Sequence, residues 1–143
     1  MKKIMTVLLM GVMAVGVTGC QNKKGPSSSS NYSSGIKGLK TVYFDFDQAA
    51  IRTDQASILQ GNADYLRSNS GSVVIEGHCD ERGTNEYNIA LGDRRSRATK
   101  SYLSNLGIDA NRMNTLSYGE ERPVATCHDE SCWWQNRRAD FTK

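Results

Sequence analysis

The chain has 143 residues, which is enough for one domain of ordinary size. Its 38% hydrophobic and 23% charged residues argue against global disorder, and only 2 Pro with 13 Gly exclude a collagen-like or proline-rich fibre. A formal net charge of +3 is too small to indicate nucleic acid as the main partner.

The N-terminus has the pattern of a secretory signal. Two lysines precede an uncharged apolar stretch of roughly 14 residues, shorter than the ~20 that a membrane-spanning helix needs. The stretch ends in VTGC at residues 17–20, which resembles a bacterial lipobox, where the Cys is lipidated and becomes the mature N-terminus. We predict a lipoprotein signal peptide over 1–19 and lipidation of Cys20. The alternative is an ordinary signal peptide followed by an incidental Cys.

A tether is predicted over residues 20–40. Ser, Gly and Lys dominate this segment, apolar periodicity is absent from its sequence, and about 20 such residues reach roughly 25 Å. Removal of the two signal-peptide lysines lowers the formal net charge from +3 to +1, so membrane attachment has to come from acyl chains. Gln21, rather than Asp, follows the Cys, and in enteric bacteria this accompanies sorting to the outer membrane. We therefore expect an outer-membrane anchor with the domain in the periplasm.

Residues 41–143 are predicted to form the folded domain. In chain order, the patterns predict a strand at 41–46, a helix capped by Thr53 or Asp54 and stopped at 69–71, a strand at 72–77, a polar loop at 78–84, a helix at 85–106 ended by Gly107, and strands at 113–118 and 137–142. Strands alternating with helices indicate an α/β sandwich, in which helices pack on one sheet.

Apolar spacing also predicts which side chains are buried. In the first strand, Phe44 and Phe46 share a face with Val42. The apolar side of the long helix is predicted to consist of Tyr87, Leu91, Ala98, Leu103 and Leu106. On the same helix, Asp93 is predicted to pair with Arg97 at i,i+4.

Residues 77–84, GHCDERGT, resemble the signature loop of the peptidoglycan-associated lipoproteins, the lipoprotein branch of the OmpA C-terminal domain family. The next segment resembles the family motif N-x-x-L-S-x-x-R-A-x-x-V-x-x-x-L, with Asn88, Leu91, Gly92, Arg95, Ser96, Thr99 and Leu103 at its positions. Gly92, Ser96 and Thr99 depart from the pattern and are expected to lie away from the charged site. Segments 43–47, 117–119 and 136–139 also match. The resemblance implies a mixed four-stranded sheet and covers essentially 41–143.

The resemblance implies a site for the diaminopimelate of the peptidoglycan stem peptide. That zwitterion presents an ammonium and a carboxylate on one carbon, so its site needs one anion and one cation. Asp80 and Arg95 occupy those family positions, and the planar fork of Arg suits a carboxylate. Further positions that line the family's site are occupied here by Phe46, Asp47, Arg82, Thr84 and Leu91.

Each of these residues also has a structural interpretation. For Asp80 the alternative is to cap the next helix or to stabilise the loop, and for Arg95 it is to lie on a solvated charged face with Arg94 and Arg97. Phe46 and Leu91 are expected to be core residues first and ligand contacts second. For Arg137 and Arg138, on opposite faces of a strand, we prefer structural roles, one of them supporting the loop and the other exposed.

The cysteines favour one disulfide. With Cys20 lipidated, Cys127 and Cys132 flank a short loop and form the favoured pair in an oxidising periplasm, which leaves Cys79 reduced or buried. The alternative is a metal site built from His78, Cys79, Cys127, His128 and Cys132. Zinc-type ligand spacing is lacking in the sequence, so neither a metal nor a cofactor is predicted.

The resemblance further implies partners. It points to the Tol-Pal system, with a periplasmic β-propeller protein competing for the same surface, and to roles in envelope integrity and division. One alternative is a general wall-binding lipoprotein outside the Tol system. Another is a cell-wall hydrolase using Asp80 and Glu81, but a nucleophile with its base does not accompany this pair in the sequence, so we predict no enzyme. A hydrolase would release muropeptides, whereas a binding module only retains the wall.

Overall fold

The computed structural model describes residues 35–143, and Cys20, the signal peptide and most of the tether lie outside them. One sheet with strand order β1-β4-β2-β3 carries the helices. Only β2 and β3 run parallel among these four strands, so the sheet is mixed. The elements are β1 (Val42–Tyr43), α1 (Ala56–Ser68), β2 (Val73–His78), α2 (Asn85–Asn105), β3 (Met113–Gly119), α3 (Glu130–Asn136) and β4 (Arg138–Thr142). The predicted fold class is confirmed.

The hydrophobic core lies between the sheet and the two long helices. Ala139 and Phe141 of β4 and Ile75 of β2 are fully buried, and they pack in one cluster with Leu59 of α1 and Leu103 of α2. The core also contains Ile36 and Leu39, so packed structure begins before residue 41, within the segment predicted to be tether.

The strand predicted at 41–46 is mostly wrong, because β1 contains only Val42 and Tyr43. The Phe44 N–H still donates to the Arg137 carbonyl at 2.9 Å, but beyond it arginine side chains take the carbonyls that a neighbouring strand would bind. Phe46 consequently leaves the predicted core face and is 54% exposed. The short β1 thus gives way to a loop, and this loop forms one wall of the site.

The predicted cap of the first helix is also wrong. A 3₁₀ turn at Thr53–Gln55 precedes α1, and within residues 35–143 no side chain caps either N-terminus. The Asp54 carboxylate instead binds the Arg52 guanidinium at 2.7 Å, so it is not available to the helix. The predicted end of α2 is confirmed, because Gly107 follows this helix in the left-handed conformation with φ +89°.

The buried face of α2 is rotated from the predicted one. Tyr87 is 45% exposed, while the polar residues Asn88, Arg95, Ser96 and Thr99 face the sheet. The exposed pair Asp93 and Arg97 bind at 2.8 Å, as predicted. Across the part of the chain that is described, the helices are too short or too polar to cross a bilayer.

Candidate ligand-binding site

A cleft of about 210 Å³ opens where the loop after β1, the loop after β2 and the first turns of α2 meet. Its lining consists of Phe46, Asp47, Cys79, Asp80, Arg82, Gly83, Tyr87, Asn88, Leu91 and Arg95. Six of the seven residues predicted to contact peptidoglycan are in this set. Thr84 is not, because its hydroxyl caps α2 by accepting the Tyr87 N–H at 3.2 Å.

Asp80 lies on the floor of the cleft with only 3% of its surface exposed. Its Oδ1 accepts from the Arg82 backbone N–H and Nε, both at 3.1 Å. Its Oδ2 accepts from Arg82 Nη2 at 2.7 Å and from Arg137 Nη1 at 3.2 Å. Burial opposes ionisation of Asp80, but these hydrogen bonds outweigh it and hold its pKa below the usual range. The carboxylate therefore does not cap the next helix but carries the negative charge of the site.

The Arg82 guanidinium lies between two aromatic rings. Its Cζ is 3.8 Å from the centre of the Phe46 ring and 4.1 Å from that of Trp133. A cation held face-on by two rings gains quadrupole attraction from both. Its ion pair with Asp80 raises the Arg82 pKa further above its usual value. The side chain is nevertheless 30% exposed, at the mouth of the cleft.

Arg95 is fully buried, so the alternative interpretation, that it lies on a solvated charged face, is wrong. It donates to the carbonyls of Gln48 (Nε, 2.8 Å), Asp45 (Nη2, 3.1 Å) and His78 (Nη1, 2.8 Å). It thereby ties both wall loops to α2. Burial is also the main cause that lowers its pKa. Its guanidinium nevertheless contributes to the lining of the cleft.

Within residues 35–143, Asp80 and Arg95 do not form an ion pair with each other: Asp80 pairs with Arg82 and Arg137, and Arg95 donates to three carbonyls and to Cys79 Sγ. Both border the same cleft, however. The site therefore offers a carboxylate and a guanidinium that are each fixed from behind. Such an arrangement suits a ligand that carries an ammonium and a carboxylate.

The rim of the cleft contains an aromatic residue that the sequence did not assign to the site. Tyr87 donates its hydroxyl to Asp47, which has a left-handed backbone (φ 56°). Asn88 donates to the carbonyls of Asp80 and Arg82, each at 3.2 Å, and so holds the loop after β2. The family motif includes Asn88. Tyr87 was instead predicted to belong to the apolar side of α2, because its spacing resembles that of a core residue.

The short helix α3 was missed by the sequence analysis, which treated its start as loop. Asp129 caps it by accepting the Ser131 N–H at 2.8 Å. Trp133 Nε1 donates to Glu81 at 2.9 Å, and His128 Nδ1 lies 2.8 Å from the same carboxylate. These two contacts lower the Glu81 pKa. With seven residues, α3 is too short to show helical periodicity.

The two arginines before and in β4 are both buried, so the expectation that one is exposed is wrong. Arg137 binds Asp80 and Glu130 and also donates to the Phe44 carbonyl at 3.1 Å. Arg138 binds Asp140 at 2.7 Å on the other face of the sheet. Arg137 thus connects α3, the loop after β1 and the floor of the cleft.

A disulfide joins Cys127 to Cys132, the pair that the sequence favours, and Cys79 is free and buried. Burial raises the Cys79 pKa to about 11.

Over residues 35–143, His, Cys, Asp and Glu side chains nowhere form a group of three that could hold a metal ion. His78 is not among the residues that line the cleft, and its ring stacks on Tyr118.

Comparison with known proteins places this geometry in a family. The OmpA family profile matches residues 43–137, which include both loops and all of α2. The chain belongs to the OmpA family. Its relatives include the peptidoglycan-associated lipoprotein of Agrobacterium fabrum, 44% identical over 89% of this chain and 81% of that protein. That of Pasteurella multocida is 42% identical over 97% of each chain.

A solved structure agrees with this assignment. The crystal structure of the peptidoglycan-associated lipoprotein from Burkholderia pseudomallei is 47% identical, has a TM-score of 0.69, and covers 71% of this chain and 87% of that one. The predicted resemblance is confirmed. In this OmpA-family domain, the residues that depart from the motif were expected to lie away from the charged site. They lie instead on the same buried face of α2 as Arg95: Gly92, Ser96 and Thr99. Of the three, Gly92 allows the helix to approach the sheet closely, since a Cβ there would lie 2.9 Å from the Gly77 carbonyl oxygen.

Proposed function

We propose that the protein binds peptidoglycan non-covalently through the diaminopimelate of the stem peptide. The observation that supports this most directly is the cleft itself, where Asp80 and Arg95 come from different elements to one opening. Asp80 is suited to the ammonium. The Arg95 guanidinium and the exposed loop backbone are suited to the carboxylate. The name shared by the relatives supplies the polymer to which this small ligand belongs.

The same proposal includes the anchor and the physiological role. Lipidation at Cys20 would hold the domain at the outer membrane, so that wall binding links that membrane to peptidoglycan. Participation in the Tol-Pal system, with its periplasmic β-propeller and other Tol proteins, would connect this link to envelope integrity and division. A general wall-binding lipoprotein outside the Tol system uses the same cleft and differs only in its protein partners.

The proposed protein is a binding module rather than an enzyme. Glu81, the second carboxylate of the hydrolase alternative, is bound by Trp133 and His128 on the outside of the loop. It is not part of the lining of the cleft among the described residues. The chemistry that Asp80 and Arg95 support is charge pairing with a zwitterion.

The test is co-sedimentation of the detergent-purified full-length protein with purified peptidoglycan. Asp80→Asn keeps the shape but leaves the ligand ammonium without its anion, and we expect binding to weaken by about 2–5 kcal/mol. Asp64→Asn, on the exposed side of α1, is the matched control and should pellet like wild type. Undiminished pelleting of a folded Asp80→Asn would reject the site, and muropeptides released into the supernatant would favour the hydrolase.

A further inference from the structure

We infer that the Arg82 side chain occupies the Asp80 carboxylate in the free protein and that Trp133 holds Arg82 in this closed state. A ligand ammonium therefore has to displace Arg82 from Asp80. This inference rests on the proposed function and extends it. It makes α3 and its disulfide, which the sequence did not connect to binding, a determinant of affinity. It also makes Arg82 a determinant of ligand specificity.

The first argument is that the acceptor positions of Asp80 are filled. An ionised carboxylate offers about four lone-pair positions. Arg82 takes three of them through its backbone N–H, Nε and Nη2, and Arg137 takes the fourth. Only 3% of Asp80 is exposed. An incoming ammonium therefore cannot bind Asp80 until one of these donors leaves.

The second argument identifies Arg82 as the donor that moves. The Arg137 side chain is 6% exposed and is also held by Glu130 and by the Phe44 carbonyl. The Arg82 side chain is 30% exposed, and its other charged neighbour, Glu130, is 3.6 Å away. Arg82 belongs to an exposed loop, whereas Arg137 directly precedes β4, so moving Arg82 needs no rearrangement of the sheet.

The third argument concerns what keeps Arg82 in place. Trp133 covers one face of its guanidinium, and the Trp133 indole N–H is itself fixed on Glu81. The disulfide between Cys127 and Cys132 encloses the start of α3, at a sequence separation of only 5. A loop this short restricts the unfolded chain less than a long-range crosslink does. Its main effect is thus local, on the turn that presents Trp133.

Displacement has a different cost for different ligands. When an ammonium replaces Arg82 on Asp80, the guanidinium loses its partner at the mouth of the cleft. A diaminopimelate carboxylate can then replace Asp80 as the partner of Arg82, whereas a lysine side chain brings only the ammonium and supplies no such replacement. The Asp80–Arg82 pair therefore favours zwitterionic ligands over purely cationic ones.

The first experiment measures the affinity of the full-length protein in detergent for a soluble muropeptide carrying diaminopimelate. Trp133→Leu weakens the closed state, so binding should become about threefold to tenfold tighter, which is the range expected from one cation–π contact. Reduction of the disulfide should act in the same direction and provides a second perturbation. Trp134→Leu is the matched control, because Trp134 packs on Tyr43 instead. Unchanged or weaker binding after both perturbations would overturn the inference.

The second experiment observes Arg82 directly. The Arg82 Nε–H resonance should be displaced by the ring currents of Phe46 and Trp133, and saturation with the muropeptide should remove this displacement. In Arg82→Gln, a muropeptide with lysine in place of diaminopimelate should bind more tightly than it does to wild type. Wild-type binding with an unmoved Arg82 signal would overturn only the inference. Failure of wild type and of all variants to bind would overturn the proposed function as well.

Discussion

Gly77 of β2 and Gly92 of α2 are in direct backbone contact at the point where the helix crosses the sheet. A Cβ atom on Gly77 would lie 1.8 Å from the Gly92 carbonyl oxygen, and that oxygen belongs to the backbone and cannot rotate away. This contact fixes the distance between the loop that follows β2 and the helix that carries Arg95. The two charged groups of the cleft therefore depend on a pair of glycines.

We predict that Gly77→Ala lowers the free energy of unfolding by about 3 kcal/mol or more, because overpacking forces the helix away from the sheet. Urea denaturation measures it. Gly61→Ala in α1 is the matched control, since a Cβ there meets nothing within 4 Å among the described residues, and it should stabilise by about 0.5–1 kcal/mol. Equal stabilities of the two variants would contradict the close approach.

Arg95→Lys should destabilise the domain although it keeps the charge. A lysine cannot reach the carbonyls of Asp45, Gln48 and His78 together, and each buried carbonyl left unpaired costs about 1–3 kcal/mol. We expect a loss of about 2 kcal/mol or more in chemical denaturation. Arg97→Lys, on the exposed side of the same helix, should change stability little. A fully stable Arg95→Lys would show that the carbonyl contacts are dispensable.

Stability should fall on acidification because of His78. Burial, with smaller contributions from Arg138 and Arg122, lowers its pKa to about 3. Its ring nitrogens have no hydrogen-bond partner among the described residues, and Glu76 and Asp140 lie 3.9 Å away.

The unfolded chain therefore takes up a proton below about pH 6.5 that the folded chain refuses until about pH 3, which costs about 2 kcal/mol at pH 5. His78→Phe should remove this component. The check is the difference in unfolding free energy between pH 7 and pH 5, wild type against variant. An equal difference in both proteins would assign the acid sensitivity to other groups.

Cys79 should be chemically silent in the folded protein. Its Sγ is buried, donates to the Asn88 carbonyl at 3.3 Å and accepts from Arg95 at 3.3 Å, and its pKa is raised to about 11. A thiol-specific maleimide at pH 7.5 should label it only after denaturation. Reduction should expose Cys127 and Cys132 to the same reagent without unfolding. Rapid labelling of Cys79 in the native protein would contradict this burial.

Lipidation is expected at Cys20, which lies outside the described residues. Metabolic labelling with palmitate should mark the wild-type protein, and Cys20→Ala should abolish the label, because the acyl chains are attached at that residue. Cys79→Ala should retain the label and serves as the matched control. Persistent labelling of Cys20→Ala would place the acyl chains at another residue, and absence of label from the wild type would favour the ordinary signal peptide.

Local patterns were sufficient for most of the fold. The alternation in 137–142 and the apolar spacing of α1 predicted regular elements, because such periodicities reflect burial on one face. They failed for the first strand, which stops at Tyr43 because arginines from distant parts of the chain take the next two carbonyls. They also failed for α3, whose seven residues contain less than two turns of pattern. The motif register correctly assigned six of seven residues to the cleft. The seventh, Thr84, caps α2 in the structure instead.

The sequence by itself determined the order of elements, the family, the favoured cysteine pair and the identity of the charged residues. These properties follow from neighbours along the chain, or from a motif whose spacing is preserved. Only the tertiary structure decided which charges meet. Asp80 pairs with Arg82 and Arg137, not with Arg95, and Trp133 reaches the site from a helix about 50 residues further along the chain. Such partners depend on the crossing of α2 over the sheet and on loop geometry, which one-dimensional patterns do not encode.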